Sequence, residues 1–341
     1  MSRQAPFKGP GFPPLPGVLQ HFARRQRGVA LILVLWFVVL LGVLALGLSK
    51  VSRNSALIAR QLSGATQARH LAEGGVQLLL GNLLMASDDE RLLGDGEEFA
   101  LSFKQGKVAL LLWNESGKVD INRASEALLA RLFEAHELPP EQSEALAAAI
   151  ADWRDEDDLA RLHGAEDEDY WAAGLAYGAA DSAFTSVSEL RKVLGMDESF
   201  YQQIEADVTI YSKSEGVNPK VAPLSVLLAV SDVELSALEH YIEERRRTHR
   251  AGLPLPPVPL VEQSFIVNDE AAVFTLSALA TTTQGSIGGH SVVFELIENA
   301  GKTRATKLYS QPHAISTAHQ KGQGRTGQGQ TGKRHMRVEE K

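Results

Sequence analysis

The first hydrophobic pattern along the chain is a run of twenty uncharged residues, Val29–Leu48. It follows the basic sequence Arg24-Arg25-Gln26-Arg27-Gly28. A helix of about 20 apolar residues crosses a bilayer, so this run has the length of a transmembrane segment. Because positive charge stays on the cytoplasmic side, the pattern predicts a cytoplasmic N-terminus and places the residues after Leu48 outside the bacterial inner membrane, in the periplasm.

Three interpretations of this segment compete. A secretory signal has a shorter apolar region and a small-residue cleavage site, whereas this run is longer and Leu46–Ser49 is a poor site. A plain membrane anchor explains both the length and the charge. The third interpretation adds Gly28, because a cut after it would leave the apolar run at a new N-terminus, Val29. Basic-Gly-apolar at this junction resembles the leader of type IV prepilins and pseudopilins, which a prepilin peptidase cleaves after the glycine.

One residue departs from the usual pattern of those leaders. Most family members have Glu at the fifth residue after the cut, and this chain has Leu33. The minor pseudopilin K of type II secretion is the member that lacks this Glu.

The hydrophobic pattern beyond Leu48 changes from a continuous run to a helical repeat. Apolar residues recur at steps of three and four, which is typical of one buried helix face. The pattern predicts a single helix over about 29–84, apolar all round in its first half and amphipathic in its second. The residues of the stripe are Ile58, Leu62, Ala65, Ala68, Ala72, Val76, Leu79 and Leu83.

Alternating and helical patterns then follow one another along the chain. The strand-like segments 98–103 and 107–113 flank Gln105-Gly106, which predicts a hairpin. A mostly helical region runs from about Asn122 to Arg250. It contains predicted helices at 125–136 and 141–153, a short one capped by Ser186 and one opened by Ser231. Further strands are predicted at 264–268, 271–281, 290–299 and 302–309.

This order of elements predicts an α+β fold in which a pilin-like long N-terminal helix packs on an antiparallel sheet. A large all-α domain is inserted between strands of that sheet. The predicted segments are a leader at 1–28, the transmembrane part of the helix at 29–48, the stem helix with the first strands at 49–121, the inserted domain at 122–250, the remaining strands at 251–310 and a disordered tail at 311–341.

Charge is divided unevenly along the chain, whose formal net charge is −8. The first 72 residues carry nine Lys or Arg and no acid, so all 42 acidic residues follow them. An acidic globular part argues against a general nucleic-acid surface. The chain has no Cys, which excludes disulfides and thiolate metal sites.

The densest chemical signal is a pair of acidic clusters between Asp152 and Asp169. A run of charge is often a solvated face. Here Trp153, Tyr170 and Trp171 flank the clusters, so we expect the loop ends to be anchored and the carboxylates forced together. Hard oxygen ligands suit Ca²⁺, and the pattern is not that of an EF-hand. The predicted ligands are Asp155, Asp157, Asp158, Glu166 and Asp167. Asp152 is an alternative helix cap, and Glu168 or Asp169 are alternative ligands.

Two other kinds of site have weaker signals. Val119–Leu129 is echoed by Val217–Leu227, and the first copy resembles helix-hairpin-helix modules, some of which bind DNA phosphates at helix N-termini. Phosphate binding gains most of its affinity from Lys and Arg, and this region is acidic. His136 and His163 lie near acids, but no Ser or ligand His is spaced to join them, so we predict no catalytic residue.

The motifs in their order along the chain resemble the minor pseudopilin K family of the type II (general) secretion pathway. Besides Gly28 and Leu33 they are Ala72-Glu73-Gly74-Gly75, Val119–Asn122, Asp152-Trp153, Gly164–Asp167, Ser188–Gly195 and Gly216–Pro219. Together they cover about residues 26–309.

This resemblance implies a pilin-like domain with an all-α insertion that holds two structural calcium ions. It implies cleavage by prepilin peptidase, methylation of the new N-terminus, and a place at the tip of a periplasmic pseudopilus. It also implies as partners the minor pseudopilins I and J, other pseudopilins and secreted exoproteins. The leading hypothesis is a non-enzymatic assembly protein. The alternatives are a membrane-anchored DNA-binding protein and a membrane-tethered hydrolase.

Overall fold

The computed structural model describes residues 27–85, 92–259, 261–268, 271–299, 302–312 and 334–335. Its helices are α1 (Arg27–Met85), α2 (Glu126–Ala135), α3 (Pro140–Arg154), α4 (Asp167–Ala172), α5 (Glu198–Ile204), α6 (Leu224–Val230) and α7 (Leu235–Arg250). Its strands are β1 (Asp95–Phe103), β2 (Gly106–Asn114), β3 (Val119–Asp120), β4 (Val208–Thr209), β5 (Val273–Thr282), β6 (Ile287–Asn299), β7 (Lys302–Gln311) and β8 (Arg334–His335).

The long N-terminal helix predicted from the sequence is present as α1, which has no break between Arg27 and Met85. The chain divides into two compact units, residues 1–61 and 62–341. In the first unit the described residues all belong to α1, and from Ala30 onward they are exposed. Among the described residues, this one helix is long and apolar enough to cross a membrane. Its length and composition fit membrane anchoring.

The second unit is built on a six-stranded sheet with the strand order β7-β6-β5-β2-β1-β8. All neighbours are antiparallel except β1 and β8, where Phe99 and Ala100 pair with Arg334 and His335 in a parallel bridge. β2 pairs directly with β5 from Gly106↔Thr282 to Asn114↔Phe274. Residues 115–272 therefore form an insertion between two adjacent strands, which confirms the predicted fold class.

The second half of α1 lies on this sheet through alanines at its start and larger apolar residues after them. Ala72, Val76, Leu79 and Leu83 are buried against apolar residues of β1, β2, β5 and β6, and Ala68 is buried where Gly288 of β6 comes close. The predicted stripe was too long, because Ile58, Leu62 and Ala65 are exposed. The buried face begins instead at Gly64, where a Cβ atom would lie 2.2 Å from Ser286 Oγ.

The insertion has its own hydrophobic core, formed mainly by α2, α3, α5, α6 and α7. It is not wholly helical, because β3 and β4 form a short parallel pair, Val119↔Val208 and Asp120↔Thr209. This pairing fixes the position of the chain just before α2. Strands of two residues are too short to show the alternating hydrophobic pattern from which a strand is predicted.

Two further sequence predictions need correction or lie outside the described residues. Residues 264–268 do not form a strand of the sheet. They contain a 3₁₀ turn, Gln263–Phe265, and an isolated bridge between Ile266 and Val217. The predicted disordered tail, 311–341, lies mostly outside the described residues, as do most of the predicted leader residues 1–28. The described parts of the predicted tail are the end of β7, residue 312 and β8.

A buried ion pair ties the insertion to the sheet. Arg245 of α7 is fully buried, and its Nη2 lies 3.1 Å from Asp95 Oδ2 of β1. The same guanidinium donates to the carbonyls of Pro219 and Ala222 at 3.1 and 2.8 Å, and Arg246 Nε reaches Asp95 at 2.7 Å. Each nitrogen of this guanidinium has a partner, so the charge is compensated where it is buried.

Candidate functional site

The two acidic clusters lie at the end of α3, along the following loop and at the start of α4. Asp155 caps the C-terminus of α3. At the other end of the loop Glu166 precedes α4, and its N–H donates to Asp169 Oδ2 at 3.0 Å. Acidic side chains at this helix start are stabilised by the helix dipole. The loop 155–166 is therefore fixed at both ends by regular structure.

Asp152 is the centre of the loop. It lies inside α3, is buried, and accepts hydrogen bonds from Arg161 Nη1 at 2.6 Å and from the N–H of Ala165 at 2.8 Å. Gly164 packs so closely that a Cβ atom there would lie 1.9 Å from Asp152 Oδ2. The alternative role of Asp152 as a helix cap is wrong, because its carboxylate holds the loop rather than a helix terminus.

Arg161 neutralises part of this acidic region. Besides Asp152 it forms a salt bridge with Asp155, and it reaches Glu126 at 2.8 Å. These carboxylates raise the pKa of Arg161 further, so it stays charged. The other basic residue of the segment, Arg154, turns away and donates to the carbonyls of Ile121 and Ala124. One cation is thus shared among several carboxylates.

Two buried carboxylate oxygens of the acidic region have no hydrogen-bond partner within the described part of the chain. They are Asp155 Oδ1 and Glu166 Oε1. Burial, together with the negative charges of Asp152 and Asp155, raises the pKa of Glu166 to about 7. A buried carboxylate without a partner is costly, so this position favours either a proton or a cation.

A further carboxylate joins this group from a later loop. Burial and the charges of Asp167, Asp158 and Asp155 raise the pKa of Asp181. The loop that carries Asp181 folds back on α4, since a Cβ atom on Gly178 would lie 1.7 Å from Asp167 Oδ1. Sequence reasoning missed Asp181, because it lies outside both acidic clusters and no spacing links it to them.

Aromatic residues anchor the loop, as expected for two of the three named. Trp153 and Tyr170 are buried with ring centroids 5.7 Å apart, and Trp153 stacks on Phe184 at 6.1 Å. The Tyr170 hydroxyl accepts a hydrogen bond from the N–H of Leu194 at 3.1 Å. Trp171 is instead 57% exposed, because the next position on α4 faces away from this core.

The internal repeat forms the same turn twice. Asp120 Oδ1 accepts from the N–H of Asn122 at 2.9 Å, and Asn218 Oδ1 accepts from the N–H of Lys220 at 3.1 Å. Helices α2 and α6 follow these turns. Asp120 also accepts from the N–H of Lys213, and burial raises its pKa. A carboxylate at this turn opposes phosphate binding, so the repeat has a structural role.

A family profile described as type II secretion system (T2SS), protein K matches residues 108–213, which include the acidic loop. Type II secretion system protein K of Pseudomonas aeruginosa is 30% identical over 66% of this chain and 74% of its own length. The chain belongs to the type II secretion system protein K family. The same protein of Klebsiella pneumoniae is 28% identical over 66% of this chain and 76% of its own.

A solved structure also matches this member of the protein K family. It is a chain of the GspK-GspI-GspJ complex from the type 2 secretion system of enterotoxigenic Escherichia coli. The match has a TM-score of 0.49 and 19% sequence identity, and it covers 77% of this chain and 99% of the other.

For this protein K family member, four of the five predicted metal ligands lie in one electrostatic group with Asp181. They are Asp155, Asp158, Glu166 and Asp167. Asp157 differs, because its Oδ1 accepts from the N–H of Leu159 at 3.0 Å and so caps its own turn. Within the described residues no three His, Asp or Glu side chains are arranged so that they could hold a metal ion. The ligand set therefore stays a prediction.

The predicted cleavage residues lie at the start of the long helix. Gly28 and Val29 belong to the first turn of α1. The site of cleavage likewise stays a prediction.

Proposed function

We propose that this chain is a minor pseudopilin that helps to start the type II secretion pseudopilus and works at its tip together with minor pseudopilins I and J. Its membership of the protein K family makes it a component of type II secretion. The observation that carries the finer proposal is α1, a single helix whose apolar first part continues into an apolar face packed on a sheet. That arrangement suits a subunit held first in a membrane and then in a bundle of similar helices.

Leu33 supports a terminal position. In a stack of subunits, a carboxylate near the N-terminus neutralises the free amine of the subunit ahead. Leu33 has no charge, so this chain gives no such partner to a subunit ahead of it. We infer that no subunit precedes it in the pseudopilus.

The basic residues before the apolar run support the topology. We infer from them that the N-terminus is cytoplasmic and that the globular part is periplasmic.

We infer that the chain acts by assembly rather than by catalysis. His136 Nε2 lies 2.8 Å from Asp207 Oδ2, and Ser225 Oγ donates to the same oxygen at 2.6 Å. Asp207 therefore stands between the histidine and the serine, which keeps them from acting as base and nucleophile. These bonds join the end of α2 to α6.

Processing tests the pseudopilin proposal. We expect the membrane form of the chain to start at Val29 in cells that have prepilin peptidase, and at Met1 in cells without it. Intact-mass measurement of the detergent-solubilised protein distinguishes the two. A chain that keeps residues 1–28 in both strains would identify a plain membrane anchor.

Assembly is tested in the bacterium that encodes the chain. A tagged full-length chain purified from detergent-solubilised membranes should carry pseudopilins I and J with it. Deleting the gene should leave the secreted proteins in the periplasm. Normal secretion in the deletion strain, or salt-dependent DNA binding by the purified chain, would contradict the proposal and favour the DNA-binding alternative.

We further propose that the acidic loop holds calcium, two ions by family resemblance, which would stabilise the insertion without taking part in a reaction. Asp155, Asp158, Glu166, Asp167 and Asp181 would supply the oxygens. The support is the two partnerless oxygens and the raised pKa of Glu166, because Ca²⁺ takes six to eight oxygen ligands and favours their charged form.

Chelation tests the calcium proposal on the full chain in detergent. At a Ca²⁺ concentration 100 times its Kd, binding contributes about 2.7 kcal/mol, so EDTA should lower the Tm by roughly 5 to 10 °C. Asp155→Asn with Glu166→Gln should remove this response, and the exposed control Glu144→Gln should keep it. If EDTA leaves the Tm unchanged, the chain does not hold calcium here.

A further inference from the structure

The outer edge of β7 is open in the described part of the chain. β7 is the last strand on its side of the sheet, whereas β1 on the opposite edge pairs with β8 at two residues. An edge strand exposes a row of N–H and C=O groups and can accept an extended segment of another protein. The ten residues of β7, Lys302–Gln311, are long enough for such pairing.

The charge of β7 is opposite to that of the chain as a whole. Its sequence contains Lys302, Arg304 and Lys307 and no acid, while the chain has a net charge of −8. Neither Arg304 nor Lys307 forms a salt bridge with a described residue. The two cations are therefore available to an acidic partner.

A cleft of about 250 Å³ lies beside β7, on the sheet face that α1 covers. Val76 and Leu80 of α1 form one wall, and Phe294 of β6 and Ala305 of β7 belong to the sheet side. Lys307 lines the same cleft, so an apolar surface lies next to an unpaired cation.

His290 closes the cleft from β6. Its Nε2 lies 3.3 Å from Ser310 Oγ. Its Nδ1 is buried without a hydrogen-bond partner, 4.0 Å from Glu73 Oε1. Burial lowers the pKa of His290, so the ring adds polarity rather than charge to this surface.

A bulge in β7 exposes more apolar surface at the edge. Lys307 pairs with Phe294 and Tyr309 pairs with Val293, so Leu308 has no opposite residue on β6. Leu308 is 44% exposed and Tyr309 is 49% exposed. Apolar side chains at an open edge are a feature of recognition surfaces.

We propose that β7 and this cleft accept an extended segment of a partner protein in which acidic and apolar side chains alternate. The segment would add to the sheet along β7, with its carboxylates on the face that carries Arg304 and its apolar side chains on the opposite face, in the cleft that Ala305 and Lys307 line. The same cations repel a second copy of β7, so they disfavour self-association and select an acidic partner. This surface does not depend on the proposed calcium or on the position in the pseudopilus.

The probe for this proposal is a fluorescent peptide about as long as β7 with alternating Glu and Val. Anisotropy at low salt should show binding to the full chain in detergent, and the matched Lys-Val peptide should not bind. Hydrogen exchange of the β7 amides should slow when the Glu-Val peptide is added, because a new strand would pair with this edge.

Arg304→Glu with Lys307→Glu should weaken the binding of the Glu-Val peptide at least tenfold, and Arg304→Gln with Lys307→Gln should give a smaller loss. The matched control, Lys192→Glu with Lys213→Glu, changes the net charge equally on the insertion and should bind as the wild type does. Equal binding of the two peptides, equal losses in the control, or protection outside β7 would overturn the proposal.

Discussion

Single residues decide how the acidic loop is held together. Asp152 accepts hydrogen bonds from the side chain of Arg161 and the backbone N–H of Ala165, and Arg161 also forms salt bridges with Glu126 and Asp155. The sequence predicted which acids belong to this region, because they form two dense clusters. It did not predict Asp181, which arrives from a loop whose fold depends on tertiary packing around Gly178.

Glu166 should make the stability of the metal-free protein depend on pH. Its folded pKa of about 7 is above the ordinary value of 4.5. The folded state therefore binds more protons than the unfolded state between these values, and stability should fall as the pH rises through this range. Glu166→Gln should flatten this part of the profile in EDTA, measured as Tm against pH. Parallel profiles for variant and wild type would contradict the raised pKa.

Asp95 should contribute in the opposite direction. Burial alone would raise its pKa, but Arg246 and Arg245 outweigh burial and hold the pKa below the ordinary value. The stability from this group is present above the unfolded pKa of about 3.9 and is lost as the pH falls through the folded value.

Asp95→Ala should lower the free energy of unfolding by about 3 to 5 kcal/mol, because it leaves Arg245 buried without its carboxylate. Urea unfolding of the full chain in detergent measures this change. The matched control is Arg247→Ala, which removes an exposed pair with Glu244 and should cost less than about 0.5 kcal/mol. Equal costs for the two variants would mean that the buried pair does not secure the insertion.

At the scale of elements, α1 was the most predictable part of the fold. A continuous apolar run followed by a helical repeat indicates a helix whatever the function of the segment, and the predicted limits 29–84 differ from Arg27–Met85 by one or two residues. Short elements were not predictable in this way. β3 and β4 have two residues each, and 264–268 has strand-like composition but pairs only once, at Ile266.

Two neighbouring glycines of α1 test its packing on the sheet. A Cβ atom on Gly75 would lie 2.9 Å from Val108 Cγ1, whereas one on Gly74 would meet no atom within 4 Å. Gly74→Ala should stabilise the protein by about 0.5 to 1 kcal/mol through helix propensity.

Gly75→Ala gains the same propensity but crowds the stiff Val108 side chain, so its net effect should be lower than that of Gly74→Ala, or destabilising. Thermal unfolding of the two variants under identical conditions gives the difference. An equal rise in Tm for both would show that α1 does not press on β2 at this position.

At the scale of the whole molecule, the insertion and the helix-sheet half have separate cores. The core of the helix-sheet half contains residues of α1 and the sheet and none between 115 and 272. The sequence predicted this division because helical and strand patterns occupy separate stretches. It did not show how the parts are joined, since the pair of Arg245 and Asp95 connects positions with no common pattern.

Removing the insertion should therefore leave the sheet intact. Asn114 and Phe274 are paired neighbours, so an Asn-Gly turn in place of residues 115–273 should close β2 and β5 as a hairpin. The shortened chain should keep strand signal and cooperative unfolding in circular dichroism and lose any response to EDTA. An unfolded product would mean that the helix-sheet half needs the insertion.

The pairing of β2 with β5 has a consequence for the order of folding. β2 is synthesised before β5, and it can pair with that neighbour only after the whole intervening stretch, residues 115–272, has been made. Closing so long a loop from a random coil costs entropy and slows folding, but a stretch that has already collapsed brings its two ends together. We expect the insertion to fold first, and we expect its folding to determine when β2 and β5 pair.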